Sequence, residues 1–187
     1  MDETQLRIYW GLVGAVLGPL GLLIGYVWWQ GRATRMYFQA AAHHLKLTYH
    51  WSQRLLGRAY LAGMHQGYSV RLVQLGHDSF YIRVYANQPL QVQLWLWTPL
   101  FGTGSFSGHS MPTSLLDDVM TQFPALFAAL DASPIAQVDT TAECVVCTLH
   151  PQARFYGADI EQVAHLLALA TQLTQVLETV DSGSKSD

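Results

Sequence analysis

The run Cys144-Val145-Val146-Cys147 has the spacing of a redox pair or of half a zinc site. A redox pair needs its first thiol at a helix N-terminus, where the dipole lowers the pKa. Thr140 to Leu149 reads instead as strand, in which residues three apart face opposite ways. The chain has no other cysteine, His150 is the one close nitrogen ligand, and position 148, where a haem attachment needs His, is Thr. Two ordinary strand cysteines are expected. The eight histidines, at 43, 44, 50, 65, 77, 109, 150 and 165, include no pair four apart with an adjacent acid, the spacing of a helical metal site. His43 and His44 stand where headgroup contact or cofactor ligation is conceivable, yet surface or partly buried histidines are the expectation, with no metal and no cofactor. Gly102-Thr103-Gly104-Ser105-Phe106-Ser107-Gly108 follows a strand and precedes a helix, as a phosphate cradle does. Its spacing misses the dinucleotide fingerprint and no Lys-Ser/Thr follows, so a flexible loop is expected. No Gly-x-Ser-x-Gly elbow is present, and the adjacent acids Asp117 and Asp118 diverge on a helix whose first turn favours acids anyway. The residues therefore point to no reaction, and no catalytic residue is assigned.

The composition points elsewhere. Of 187 residues half are hydrophobic, only 12% are charged and six are Trp. A water-soluble domain carries about a quarter charged residues, so some apolar surface here must face something other than water. A net charge of −3 argues against a general nucleic-acid binder. Two cysteines exclude a disulfide-built scaffold.

From Ile8 to Trp29 there are 22 residues without a charge. As a helix they reach about 33 Å, enough for a hydrocarbon core of about 30 Å. A transmembrane helix over 8–30 is expected, with Tyr9 and Trp10 at one interface and Tyr26, Trp28 and Trp29 at the other. A cleaved signal peptide fits less well: Met-Asp-Glu-Thr-Gln-Leu-Arg is not a basic start, and Trp28-Trp29-Gln30-Gly31-Arg32 is a poor cleavage site. Arg32, Arg35 and Lys46 follow the span with no acid before Asp78, whereas Arg7 precedes it beside Asp2 and Glu3. The positive-inside rule then puts residues 1–7 outside and the folded part in the cytoplasm, at a cell inner membrane, with Arg32 and Arg35 against headgroups.

Gly11, Gly14, Gly18, Gly21 and Gly25 are spaced 3, 4, 3 and 4 apart, one seam of the helix. A seam without side chains lets another helix backbone, a lipid or a flat cofactor approach. The plainer alternative is that glycine is common in membrane helices, with Pro19 adding a kink that frees the Ala15 carbonyl. Alignment rather than scatter favours a packing interface with transmembrane helices of other subunits.

Gly31 is expected to loosen the helix, which resumes as an amphipathic helix over Ala33 to Leu45 (the juxtamembrane segment 31–45). An α+β domain over 46–180 then begins. Arg58 to Gln74 reads as two strands around His65-Gln66-Gly67, Ser79 to Tyr85 as a third and Leu90 to Trp97 as a fourth. In the fourth, Val92, Leu94 and Leu96 share one face, and Gln91, Gln93, Trp95 and Trp97 the other. Short turns make these an antiparallel meander. Thr98 to Thr113 is loop by its Gly, Ser and Pro content. Ser114 is an N-cap candidate ahead of short helices over Leu115 to Thr121 and Pro124 to Asp131. A strand follows from Ala136 to Leu149, broken near Thr140. A long C-terminal helix from about Asp159 to Val180 aligns Ile160, Val163, Leu167, Ala170, Leu173, Leu177 and Val180. Residues 181–187 form a disordered tail.

The hairpin Tyr60-Leu61-Ala62-Gly63-Met64-His65-Gln66-Gly67-Tyr68-Ser69-Val70-Arg71-Leu72, with glycines four apart, resembles the opening strands of uncharacterised bacterial membrane-anchored α+β proteins. That resemblance, over about residues 33 to 180, implies architecture and no activity.

Charge is unevenly spread. Residues 32 to 116 hold seven basic residues and one acid, net +6, while 117 to 187 hold two basic and ten acidic, net −8. The first half can lie against anionic headgroups and the second is repelled by them; a chance split on a solvated surface is the plain alternative. The function expected is a non-catalytic accessory or assembly subunit of a bacterial membrane complex, with membrane lipids and other subunits as partners. A membrane-tethered ligand-binding or sensor module is the alternative.

Overall fold

The computed structural model describes residues 3–51, 59–74, 80–90, 92–97, 107–111, 114–149 and 160–183. The chain divides into two compact units, Met1–Tyr37 and Phe38–Asp187. The first is helical and belongs to α1 (Glu3–Leu45), which runs on into the second. No break occurs at Gly31: one glycine costs a helix about 1 kcal/mol, too little to interrupt good helix formers on both sides. Among the described residues no helix is long and apolar enough to cross a membrane.

The second unit is an eight-stranded sheet with helices. Its strands are β1 (Thr48–Trp51), β2 (Ala59–His65), β3 (Tyr68–Gln74), β4 (Phe80–Tyr85), β5 (Gln93–Trp97), β6 (Ser107–Met111), β7 (Ile135–Thr140) and β8 (Cys144–Leu149). The order is β1-β2-β3-β4-β8-β7-β5-β6, and every neighbouring pair is antiparallel. The helices are α2 (Ser114–Gln122), α3 (Pro124–Asp131) and α4 (Ile160–Gly183). Gln66 at φ 49° and Gly67 at φ +86° close the β2–β3 hairpin with two left-handed residues, the two-residue turn whose twist matches that of the strands.

Strand alternation builds the core. Leu61, Leu72, Ile82, Cys147, Val138 and Leu96 stand in register across six strands, and all are fully buried. The stripe Val163, Leu166, Leu167, Ala170, Leu173 and Leu177 of α4 is buried as well, and α4 lies along β4 and β8. α3 packs on α4, and α2 on β6. Phe38, Ala41, Ala42 and Leu45 at the end of α1 are buried; the Phe38 ring lies 6.4 Å from that of Tyr49, whose register partner is Leu61.

The expected four-strand meander stops after three strands. β5 joins β7 and β6, and β8 takes the place beside β4. The turn after β4 ties itself to the β7–β8 hairpin, Ala86 N–H donating to the Glu143 carbonyl and Leu90 N–H to that of Ala142, so the chain passes around that hairpin. β8, four of whose six residues are buried, thereby reaches the centre. The strand expected over 136–149 is broken where expected, into β7 and β8, and turns at Thr141, whose hydroxyl accepts from the backbone N–H groups of Glu143 and Cys144. β1 arises at the start of the expected domain, where no element was assigned, and β6 where loop was expected. β6 forms because Gly108 lies so close to Leu96 that any Cβ would meet Leu96 and the Trp95 carbonyl. α4 continues through Gly183, so 181–183 are helix rather than tail. The two short helices fall as expected, with Pro opening α3.

Candidate functional site

Two surfaces stand out, one in each unit. On α1, Val16, Leu17, Leu20, Leu22, Leu23 and Ile24 are between 49% and 78% exposed. Gly14, Gly18, Gly21 and Gly25 are exposed too, and a Cβ built on any of them meets nothing within 4 Å. The helix thus shows apolar side chains and a bare seam rather than the single buried stripe of an ordinary surface helix. Tyr26, Trp28 and Trp29 are more than half exposed at one end of this stretch, and the Arg32 guanidinium lies 5.6 Å over the Trp28 ring, one turn back. Arg35 is exposed. The surroundings of Tyr9, Trp10 and Gly11 lie outside the described residues.

The second surface is the face of the sheet opposite α4. Alternation places Tyr60, Arg71, Tyr81, Arg83, Tyr85, Val146, Asp139, Trp95 and Trp97 there. Arg71 and Arg83 are Cα partners across β3 and β4. Each guanidinium rests on a tyrosine: Arg71 lies 4.6 Å from the Tyr60 ring and Arg83 5.4 Å from the Tyr81 ring. His50 in turn stacks on Tyr60, with ring centroids 4.7 Å apart. The side-chain hydrogen bond between Arg83 and Tyr85 raises the Arg83 pKa further, partly opposed by burial. Arg83 Nε is nevertheless buried without a hydrogen-bond partner. Asp139, two strands away, accepts from the Gln137 amide on both its oxygens, at 3.1 and 2.9 Å. Trp95 remains 57% exposed and Trp97 37%.

The other motifs have structural roles or lie elsewhere. Cys144 and Cys147 are buried free thiols. Burial, then Asp139, pushes Cys147 up to about 12, the opposite of an activated thiol. Cys144 Sγ lies 3.3 Å from the Thr141 hydroxyl. His43, His44 and His165 are exposed, and the His65 pKa is lowered by burial. His77, His150 and Gly102 to Phe106 lie outside the described residues. Among the described residues no three His, Cys, Asp or Glu side chains gather as a metal site would need. Glu178 on α4 locks the turn after β4: it accepts from the Tyr68 hydroxyl at 2.7 Å and from Asn87 and Gln88 N–H at 2.6 and 3.2 Å. Burial, followed by this contact, pushes Tyr68 up to about 12.

Comparison adds a fold likeness. The chain is similar in structure to the mycobacterial trehalose monomycolate transport factor A, with a TM-score of 0.57, 12% identity, and coverage of 79% of this chain and 94% of that one. At such low identity the likeness concerns fold alone. No family model matches the sequence, and no curated protein matches it.

Sequence reasoning aligned the glycines along one helix and set Trp95 and Trp97 on one strand face but missed the arginine pair. The signal was present, since Arg71 and Arg83 each sit mid-strand on the polar alternation of a β-rich run.

Proposed function

We propose that the protein is a non-catalytic, single-pass membrane accessory or assembly subunit of a larger bacterial complex. In this reading the helix over 8–30 crosses the inner membrane and the second unit lies in the cytoplasm. Tyr9, Trp10, Tyr26, Trp28 and Trp29 sit at the interfaces, with Arg32 and Arg35 at headgroups. Gly11, Gly14, Gly18, Gly21 and Gly25 receive a transmembrane helix of another subunit. One observation carries the reading: the 13–26 stretch of α1 exposes large apolar side chains and open glycines together. In water that surface costs about 25 cal/mol for each Å² of apolar area left uncovered, whereas lipid covers it at no such cost. The neighbour's description as a transport factor is compatible with an accessory role and assigns no residue here.

In lipid no hydrophobic force joins helices, so association depends on close backbone approach, which bare glycines permit. Gly14→Leu with Gly18→Leu keeps the span apolar and inserted and should abolish copurification with partners in mild detergent. Val13→Leu with Val16→Leu, off the seam, should leave it intact. Copurification of both variants at the wild-type level contradicts the seam's role.

A further inference from the structure

We propose that the face of the sheet opposite α4 docks a protein partner that presents carboxylates to Arg71 and Arg83 and an apolar side chain to Trp95 and Trp97. This inference stands on the second unit alone and does not depend on α1 crossing a membrane.

The helices of that unit pack on the other face of the sheet, where Leu72, Ile82 and Leu96 are buried. Beside Val146 and Asp139, the face opposite those helices carries Tyr, Trp and Arg, the types enriched where proteins bind and where few side chains carry most of the energy. Like charges directly opposite on neighbouring strands destabilise a sheet, yet Arg71 faces Arg83 in register. Folding alone gives no reason for that pair. Among the described residues the contacts holding the two guanidinium groups are aromatic rings and a phenol, none of them a carboxylate, and both arginine side chains stay partly exposed. Asp139 is about 10 Å off, two strand spacings from β4, with the Gln137 amide on both its oxygens.

The rings fix the guanidinium groups before anything binds, which lowers the ordering cost of a complex. A guanidinium fork matches a carboxylate in two parallel hydrogen bonds. A small oxyanion would engage the arginines and leave Trp95, three strand spacings or about 14 Å from Arg83, as exposed as before. A polypeptide covers both ends of the surface. The chain carries net −3, so attraction for a polyanion has to come from a local patch.

The test uses the full chain in mild detergent and a fluorescent synthetic peptide of four glutamates followed by two leucines. Binding is expected, weakening as salt rises, and lost when the glutamates are replaced by glutamines. Arg71→Gln with Arg83→Gln relieves the cross-strand repulsion, so it should keep the thermal midpoint while weakening the peptide at least tenfold. Trp95→Ala should weaken it several-fold, and Lys46→Ala, basic and exposed but off this face, should not. No binding by the glutamate peptide, equal binding by the arginine variant, or an equal loss in Lys46→Ala overturns the proposal. Displacement of the peptide by millimolar inorganic phosphate together with no effect of Trp95→Ala also overturns it, because that pattern describes a small-oxyanion site.

Discussion

Leu22 and Leu72 carry the same side chain and meet opposite fates. Leu22 on α1 is 78% exposed, whereas Leu72 on β3 is fully buried in a row of six aligned side chains. In the sheet, apolar residues alternate with polar ones, so one face gathers against α4 and the other carries the polar and aromatic set. Between Ile8 and Trp29 of α1 no charge interrupts the run, and apolar side chains stand beside the seam. Alternation builds an internal core; an uninterrupted apolar run asks for an external one. Substituting the same residue type in each region separates the two. Leu72→Ala should cost about 2–5 kcal/mol by lost burial and cavity formation. Leu22→Ala should leave the denaturant midpoint of the second unit unchanged. Equal losses would mean that Leu22, like the buried end of α1 at Phe38 to Leu45, contributes to that core.

Glycines give the same contrast at smaller scale. A methyl at Gly108 runs into Leu96 and the Trp95 carbonyl, whereas one at Gly18 meets nothing within 4 Å. Backbone cannot move aside as a side-chain end can, so Gly108→Ala is expected to cost about 1–3 kcal/mol and to free β6 from the sheet edge, read by faster amide exchange over Ser107–Met111. Gly18→Ala removes a poor helix former and should leave or slightly raise helical content. A neutral Gly108→Ala would show that β6 can shift without loss.

His65 gives the smallest effect. Burial lowers its pKa below 6.5, so above 6.5 both folded and unfolded chains are neutral there and nothing is lost. As pH falls below 6.5 the unfolded chain takes up a proton that the folded chain resists until its own lower pKa, so stability falls in that window. His65→Gln should flatten this part of the profile of denaturation midpoint against pH. An unchanged slope would assign it to other groups.

Much of the second unit was legible because β2, β3 and β4 have period-two alternation and a Gln66-Gly67 turn, and α4 has a clean 3.6-residue stripe. Strand neighbours were not legible. Nothing local in Leu90 to Trp97 says that it will pair with Ile135–Thr140 rather than with Phe80–Tyr85; the deciding bonds run from Ala86 and Leu90 to the β7–β8 hairpin. β6 was hidden because Ser107-Gly108-His109-Ser110-Met111 reads as loop, and only the close approach of Gly108 to Leu96 makes it a strand. The glycine seam was visible as spacing, since helical periodicity needs no tertiary partner. The arginine pair was not, because the opposition of Arg71 and Arg83 depends on the β3–β4 register.

The central claim is that the exposed apolar surface of α1 belongs in a bilayer, and an alkaline carbonate wash of membranes tests it most directly. Wild-type chain should stay in the membrane pellet, held by the apolar helix. Leu20→Arg with Leu23→Arg, two charges at about 2.5–3.5 kcal/mol each near the middle of the span, should release the chain into the supernatant. Wild-type chain found in the wash, or both chains retained alike, would contradict the claim.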